Sequence, residues 1–535
     1  MENRTSGNLE ADHSDRTGNK SLEQLKAELE KEKAHYKELE KDPRKPKEKK
    51  KKNTDSSVSP PADPIPYGQL DQFHIMRIKD GKYYPRDTFD YVIVREIKSR
   101  YHLFVLNGKA YWYMGGVYKI DDSGTLSQDI IENFIYPEFK DFRHKQKIYK
   151  LLLSDYHIQK NIEDINNFPA TWINFQNGFY DARQKIFIEH GWKYLSINQI
   201  PHDYCEKSVE EIESSITYKY LSDLIPDEAD RFMFFQYCGY SMTTDTKFQK
   251  FLMITGMGGT GKSVLLRLIQ KVCGNENISN FSITEMTDRF SSAYLFGKLC
   301  NICADISAKS LEETDGIKKI FGEDTIKAEY KNGAVFFFRA SCKAIFSANR
   351  IPLNKDEQSN AFYRRLLVLK INQRASYIDD LEKRLEEDID IFINLVVKAI
   401  HDSYMYGEII ESENSSNEIL ELYKSADSVQ AFLSDKGYLG TKWKKERNAF
   451  YTEYQNYCIA EDRNYLQNKS FYANMREKGY AEQKTNGNRY FVAQREDTGQ
   501  TSLTLEDIRS GALNRAEKGQ KKIASALEKA FIYKG

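Results

Sequence analysis

The sequence of 535 residues has no excess of charge of either sign and no long apolar run. Lysine plus arginine and aspartate plus glutamate number 79 each, so the formal net charge is zero. A uniformly basic nucleic-acid coat is therefore excluded, and any binding to phosphates must come from local groups of cations. No stretch reaches the ~18 apolar residues that cross a bilayer. The first residues lack the apolar core of a secretion signal. We therefore expect a cytoplasmic protein without a membrane partner.

Cysteine is also scarce, with seven residues spread along the chain. Only Cys300 and Cys303 are close together, in the apolar run CNIC, and no second pair follows. A structural zinc site needs four converging ligands. We therefore interpret both cysteines as small core residues of a buried strand, and we expect neither zinc nor disulfides.

Composition and periodicity divide the chain into segments that differ in character. The first contains the basic run PRKPKEKKKKN, which is either a solvated linker or a flexible arm that lies on phosphates. The predicted segments are a charged, largely disordered arm and linker (1–66), an α+β module (67–205), a helical collar (206–250), a core of apolar strands (251–375), a helical extension (376–427), a winged-helix domain (428–495) and a polar tail (496–535).

The α+β module carries a hairpin signal but no constellation for DNA synthesis. Asn107-Gly108 stands between two alternating apolar segments, and this dipeptide favours a two-residue hairpin turn. Asp87 and Asp90 do not alternate on one strand face, and no histidine partner accompanies them. We therefore expect no primase activity from this module.

The stretch FLMITGMGGTGKSVLLRLIQ is the most specific motif of the chain. Its apolar strand, glycine-rich loop and helix match G-x-x-x-x-G-K-[ST] in the required context. Backbone N–H groups and the helix N-terminus of such a loop bind phosphates, so ATP and Mg²⁺ are the expected ligands. Lys262 would bridge the β- and γ-phosphates, and Ser263 would hold Mg²⁺. The predicted nucleotide-binding residues are Gly256, Met257, Gly258, Gly259, Thr260, Gly261, Lys262 and Ser263.

Two later apolar strands end in polar side chains that would reach the same edge of the sheet. LCNICADIS ends near Asp305, which we assign as the acid that holds Mg²⁺. CKAIFSAN ends in Asn349, which would orient the attacking water or sense the γ-phosphate. A hydrolase usually has a second acid, yet Ile306 follows Asp305. Glu312, Glu313 or Asp305 itself could fill that role.

Two further groups of cations are candidates for function. FYRRLLVLKI places Arg364 and Arg365 before an apolar strand, where they are either surface charge or, in a ring, cations that reach a neighbour's nucleotide. TKWKKER at 441–447 adds local basic charge.

The segment from Ser428 to Ala493 predicts three helices and a hairpin, the outline of a winged helix. The helix NKSFYANMREKG would be its recognition helix, and the hairpin its wing. A protein-interaction domain or a ring-stabilising cap is the alternative. The predicted DNA contacts are Lys469, Arg476 and Lys478 on the helix, and Lys484 and Arg489 beside the wing.

The ordered set GMGGTGKS, NICADIS, KKIFGEDTIKAEYKNGAVFFFRASCKAIFSAN and AFYRRLLVL resembles the superfamily 3 helicases, specifically their phage, plasmid and poxvirus primase–helicase branch. The upstream INFQNGFYD resembles the N-terminal module of that branch. The resemblance implies a multidomain α/β and α+β protein with an AAA+-like P-loop ATPase core over 251–375. It also implies a homo-hexameric ring that unwinds DNA. The residues that match the family's motifs are Lys262 and Ser263 of the phosphate loop, Asp305 as the Mg²⁺ acid, Asn349 as the sensor, and Arg364 or Arg365 as the trans-acting arginine.

TIKAEYKNGAVFFFR alternates on both sides of Asn332-Gly333, which predicts a hairpin with Lys331 beside its tip. The helicase family inserts a hairpin at this place, where it projects into the channel of the ring. The resemblance therefore implies that Lys331, and next Lys327, contact DNA. An exposed turn lysine without function is the alternative.

Together these features predict an ATP-dependent hexameric DNA helicase that acts in replication of a phage, plasmid or mobile element. Its expected partners are single-stranded and forked DNA, further copies of itself and host replication proteins. An ATP-switched, origin-binding initiator with little unwinding activity is the alternative, because only one acid stands at Asp305. A small-molecule kinase is third, since no acceptor pocket would explain the hairpin or the winged helix.

Overall fold

The computed structural model describes residues 65–304, 306, 319–322, 324–331, 333–351, 360–461, 463–485 and 487–493. Residues 1–64 of the predicted arm and all of the predicted tail lie outside these ranges. Within them, no helix combines the length and the apolar character needed to span a bilayer.

The N-terminal part combines a two-stranded ribbon, three helices and a three-stranded antiparallel sheet. The predicted turn at Asn107-Gly108 is confirmed, since both residues have positive φ (51° and 74°) between two paired strands. Trp112 is fully buried and donates its indole N–H to Ser127 at 3.1 Å. The elements are β1 (His74–Lys79), β2 (Lys82–Thr88), α1 (Asp90–Arg100), β3 (Leu103–Leu106), β4 (Lys109–Met114), β5 (Val117–Asp121), α2 (Thr125–Glu132) and α3 (Phe142–Leu153).

A second antiparallel sheet and three helices lead into the central sheet. The buried Asn174 amide donates to the carbonyls of Gly116 (3.0 Å) and Asn198 (2.9 Å), which ties the two antiparallel sheets together. The fully buried Tyr237 donates its hydroxyl to the carbonyl of Ala344 at 2.8 Å and so fixes the last helix to the central sheet. The elements are β6 (Trp172–Phe175), β7 (Gly178–Asp181), β8 (Ile186–Ile188), α4 (Val209–Ser214), α5 (Ile216–Leu224) and α6 (Glu228–Tyr240).

A five-stranded parallel sheet forms the centre of the molecule, in the order β10-β11-β14-β9-β15. Its strands are continuous apolar runs because helices and loops cover both faces of such a sheet. Cys300 and Cys303 lie on β11, as interpreted from the sequence, and Cys300 is fully buried. The elements are β9 (Phe251–Gly256), α7 (Lys262–Cys273), β10 (Ile278–Ser279), α8 (Ile283–Thr287), β11 (Cys300–Cys303), β12 (Thr325–Glu329), β13 (Val335–Arg339), β14 (Lys343–Ala348), α9 (Asn360–Tyr363) and β15 (Leu366–Ile371).

The hairpin predicted between the site strands is also confirmed, as the antiparallel pair β12–β13. Its side chains alternate between a buried and an exposed face. On the buried face, Phe336 and Phe338 pack edge-on against Phe296, with ring centroids 6.0 and 5.6 Å apart. Asn332 at the predicted tip lies outside the described residues.

The C-terminal part contains helices that pack on the central sheet and a small domain with its own core. Its sheet has three strands in the order β16-β18-β17, whereas the sequence predicted only the β17–β18 hairpin. The extra strand comes from TKWKKER, where Trp443 packs on Phe450 with ring centroids 5.0 Å apart. The elements are α10 (Leu381–Glu387), α11 (Ile389–Tyr406), α12 (Glu413–Ala426), α13 (Ser428–Asp435), β16 (Trp443–Glu446), α14 (Arg447–Ala460), α15 (Asn468–Glu477), β17 (Ala481–Thr485) and β18 (Asn488–Ala493).

Candidate nucleotide site and nucleic-acid contacts

The glycine-rich loop connects β9 to α7, and two of its glycines are required by the backbone. Gly256 has a φ of 151°, and a Cβ atom there would lie 2.3 Å from the carbonyl oxygen of Ile371. Gly261 has a φ of 93°, and its Cβ would lie 3.1 Å from the hydroxyl of Tyr220. Both conformations are ones that residues with side chains rarely adopt. The start of the loop therefore lies close against the end of β15, and its end lies close against α5.

Lys262, the first residue of α7, points its ammonium group into this loop. Its side chain is buried, with 7% exposed, and Nζ donates to the carbonyls of Gly256 (2.6 Å) and Met257 (2.9 Å). Nζ also lies 3.3 Å from Oδ1 of Asn349, which directly follows β14. Lys262 lies beyond β9 and Asn349 beyond the neighbouring β14, so these two predicted site residues meet at the carboxyl edge of the sheet. Parallel sheets bind ligands at this edge.

A cavity of about 700 Å³ opens beside this pair. The backbone N–H of Ile306 donates to the carbonyl of Ser347 at 3.0 Å, which holds the chain after β11 against β14. Asp305, the predicted Mg²⁺ acid, precedes Ile306 but lies outside the described residues, as do Glu312 and Glu313. Arg350 also reaches the cavity, although no motif marks it. The lining residues are Gly258, Gly259, Thr260, Gly261, Lys262, Ser263, Val264, Ile306, Asn349 and Arg350.

Arg374 is a second cation at the loop that the sequence analysis missed. A Cβ atom on Gly259 would lie 3.1 Å from Nη2 of Arg374, so the guanidinium lies over the loop. The segment that carries it is tied to α5, because Gln373 and Ser376 both donate to Asp223. The one feature of the sequence that could have indicated Arg374 is its position just beyond the strand β15, which ends at the same sheet edge as β14 and Asn349.

Arg364 and Arg365 lie away from this cavity. Both line a separate cavity of about 220 Å³. Arg365 is only 6% exposed and donates to Oε1 of Gln249 at 3.3 Å, and burial lowers its pKa. Arg364 is exposed. Of the two arginines, Arg364 is therefore the one in position to reach another molecule.

On the hairpin, Lys327 and Lys331 are both exposed. Lys327 is directly opposite Phe337, a side chain that is 57% exposed. The free face of β12–β13 thus combines cations with an aromatic ring.

The cations of the small C-terminal domain fall into two groups, and the prediction for Lys478 is wrong. Lys478 is 9% exposed, and its Nζ lies 2.5 Å from Oδ2 of Asp427, the residue that caps α13. Lys478 follows the last residue of α15, so the helical spacing that puts Arg476 on the outer surface does not apply to it. A buried ammonium that is paired with a carboxylate is not available to a phosphate.

The other four predicted cations of this domain are exposed, but two share an acid. Arg476 and Arg489 lie 3.2 and 3.8 Å from the carboxylate of Glu482. Lys469 and Lys484 are exposed lysines on α15 and β17. The surface that remains for a nucleic acid is therefore less basic than the sequence suggested.

Residues 254–365 match a family that is described as a family of unknown function, DUF5906. Over 252 residues the chain is 24% identical to "Putative helicase L207/L206" of Acanthamoeba polyphaga mimivirus. That alignment covers 44% of this chain and 25% of the mimivirus protein, so the chain spans only a small part of this curated relative.

Two solved structures of the NrS-1 C-terminal region are similar to this chain. An apo structure in the A form has a TM-score of 0.47 and 13% sequence identity, covering 75% of this chain and 98% of the other. A second apo structure, of residues 305–718, has a TM-score of 0.47 and 11% identity, covering 77% and 100%. The chain is a mixed α/β protein with a parallel five-stranded sheet, and part of its sequence is similar to a viral protein described as a putative helicase.

Proposed function

We propose that this protein is an ATP-dependent DNA helicase of the superfamily 3 type, which acts in replication of a phage, plasmid or mobile genetic element. The observation that carries the proposal is the approach of Lys262 to Asn349 at the open edge of a parallel sheet. A phosphate loop beside a strand-end amide suits the binding and hydrolysis of a nucleoside triphosphate. The similarity to the mimivirus protein supports a helicase over other classes of nucleotide hydrolase.

The residues present fit the phosphates of ATP. The ammonium of Lys262 is bonded to uncharged acceptors, two carbonyls and one amide oxygen, and no carboxylate competes for it in the described part of the site. Arg374 adds a second cation above the loop. Anionic phosphate oxygens would therefore be better partners than those the ammonium has now.

Ser263 and Asp305 are the residues that would hold Mg²⁺, through the hard oxygen ligands that this ion prefers. When bound, the ion neutralises charge that develops on the phosphates. Asn349 would orient the attacking water, and Arg364 would reach the nucleotide of a neighbouring subunit in a hexameric, AAA+-like ring. The location of Arg364 outside its own chain's nucleotide cavity supports that role in trans.

The β12–β13 hairpin would contact DNA in the channel of this ring. Its buried face is packed on the core, so its exposed face with Lys327 and Lys331 would move together with the nucleotide-binding sheet. The small C-terminal domain would act as a winged helix through Lys469, Lys484, Arg476 and Arg489. Single-stranded and forked DNA are the proposed substrates.

The test is steady-state ATPase activity with and without single-stranded DNA, together with strand displacement on a forked duplex. We expect DNA to stimulate turnover and the fork to be unwound, with particle images showing six-fold rings. Lys331→Ala should lose strand displacement, whereas Lys119→Ala, which changes an exposed lysine of β5, should retain it.

Two results would contradict this proposal. ATP-dependent DNA binding without stimulated turnover would favour the origin-binding initiator instead. Full unwinding by the Lys331→Ala variant would refute the assignment of the hairpin as the translocating contact.

A further inference from the structure

The ribbon β1–β2 is a separate two-stranded sheet, and within the described residues its strands pair only with each other. Its base is buried through His74 and Thr88, and most of its other side chains are exposed on both faces. An isolated two-stranded hairpin is marginally stable in water, so something must hold the base in place.

The base is held by hydrogen bonds to the helical part of the module. His74 donates from Nδ1 to the carbonyl of Leu70 at 2.9 Å, and its Nε2 accepts from the backbone N–H of Tyr136 at 3.2 Å. On the other strand, Thr88 donates its hydroxyl to Asp90 at 2.6 Å. Both strands are thus anchored where they enter the module.

The register of the ribbon sorts its side chains into two different faces. Arg77 is opposite Tyr84, and Lys79 is opposite Lys82, so these four side chains share one face. Directly opposed residues project to the same side because side chains alternate along each strand. The other face carries Ile78 and Tyr83, which are apolar or aromatic.

Asp80 lies in the turn of the ribbon, yet the cations of this face are not paired with it. Across the residues that the structure describes, none of Arg77, Lys79 and Lys82 forms an ion pair, and Tyr84 is 41% exposed between them. Unpaired cations that surround an exposed aromatic ring suit a polyanion whose rings are free to stack.

We propose that this face binds single-stranded nucleic acid, with the three cations on backbone phosphates and Tyr84 stacked on a base. A duplex offers the phosphates but keeps its base faces stacked, so Tyr84 favours a single strand over a duplex. The site lies outside the nucleotide-binding core and needs neither ATP nor the β12–β13 hairpin. It therefore goes beyond the proposed helicase activity and gives the N-terminal module a function of its own.

The experiment is a fluorescence-anisotropy titration of the full chain with a 5′-labelled thirty-nucleotide oligo-dT, without nucleotide and at several salt concentrations. The double variant Arg77→Ala/Lys82→Ala should bind at least tenfold more weakly. The slope of the logarithm of the binding constant against the logarithm of the salt concentration should fall in magnitude by roughly 1.4. Each lost phosphate contact on a single strand removes about 0.7 from that slope. Tyr84→Ala should weaken binding by at least about fivefold, whereas Tyr84→Phe should bind with the affinity of the wild type.

Tyr83→Ala is the matched control, because it removes a neighbouring tyrosine from the opposite face. Circular dichroism verifies that each variant is folded. The proposal is overturned if the double variant keeps the affinity and salt slope of the wild type, or if the wild type prefers a duplex of equal length. It is also overturned if Tyr83→Ala changes self-association while both cationic-face variants bind oligo-dT normally, since the ribbon would then be a protein interface. Because the titration contains no ATP, its result can be interpreted even if the ATPase assay of the proposed helicase fails.

Discussion

Two buried lysines, one at the glycine-rich loop and one in the small C-terminal domain, have similar exposure but opposite surroundings. Lys262 is 7% exposed and bonded to uncharged oxygens beside an open cavity. Lys478 is 9% exposed and bonded to the carboxylate of Asp427. A buried cation without a counter-ion can accept an anionic ligand, whereas a buried cation with one is already neutralised. The partner, more than burial, therefore separates a candidate binding residue from a structural one.

The largest expected effect concerns the lysine without a counter-ion. Lys262→Ala should abolish ATP binding and hydrolysis, because the cation that would contact the β- and γ-phosphates is lost. Its free energy of unfolding should change by only about 1 kcal/mol, since the exposed carbonyls can be hydrated from the cavity. Nucleotide titration and urea unfolding measure the two effects. If Lys262→Ala hydrolyses ATP near the wild-type rate, the contrast drawn between Lys262 and Lys478 does not hold.

The second prediction concerns the paired lysine. Lys478→Met leaves the carboxylate of Asp427 buried without its cation, so the free energy of unfolding should fall by about 3 kcal/mol. Urea unfolding of this variant and of Lys478→Met/Asp427→Asn checks the cause, because the double variant should recover part of the loss. Lys469→Ala, an exposed change on α15, the helix that Lys478 follows, should stay within about 0.5 kcal/mol of the wild type. Equal stability of Lys478→Met and the wild type would contradict the structural role.

A third buried lysine sharpens the comparison, because among the described residues no carboxylate is bonded to it and it lines no open cavity. Lys343 is 2% exposed, donates to the carbonyls of Thr243 and Ser341, and lies 4.8 Å from the ring of Tyr240. Burial lowers its pKa from 10.5 to about 8. Between these values the unfolded chain binds more protons than the folded one, so stability should rise with pH.

Lys343→Met isolates this contribution from the other groups that titrate at high pH. Between pH 8 and pH 10 the wild type should gain about 2 kcal/mol in free energy of unfolding relative to the variant. Urea unfolding of both proteins across the pH range provides the measurement. A difference that does not vary with pH would show that Lys343 keeps its ordinary pKa.

The smallest effect is expected at Arg374, the second cation beside the glycine-rich loop. Arg374→Ala should weaken ATP binding by about tenfold, the loss that corresponds to one charge-assisted hydrogen bond. Arg374→Lys should recover part of the affinity, and Arg384→Ala, an exposed arginine on α10, should have no effect. Equilibrium titration with a fluorescent ATP analogue checks all three. Unchanged affinity in Arg374→Ala would remove this residue from the site.

Local patterns in the sequence were sufficient for the features that short-range physics determines. The glycine-rich loop follows its strand and precedes its helix, the turn of β3–β4 lies at Asn107-Gly108, and β12 pairs with β13 as the alternating segments predicted. The meeting of Lys262 and Asn349 also followed from the rule that parallel strands end at one edge. The arrangement of the candidate site was thus predictable as far as it depends on strand ends.

Features that depend on distant partners were not predictable. Lys478 was placed on the DNA-facing surface because its partner, Asp427, caps α13 at a distant point of the sequence and nothing local indicates the contact. β16 was missed because a strand as charged as TKWKKER shows no alternation, and its order depends on Trp443 packing into the domain core. Arg374 belongs to no motif, and only the tertiary path of the chain after β15 brings it over the loop.

The position of β15 has a structural consequence. Arg364 and Arg365 precede this strand, and Arg374 follows it. At its end, the carbonyl of Ile371 occupies the place that a Cβ atom on Gly256 would need. All of its residues except Lys370 are buried, and its ladder with β9 runs along its whole length. The strand therefore connects the exposed Arg364 at one end with the glycine-rich loop at the other through a buried, continuous ladder.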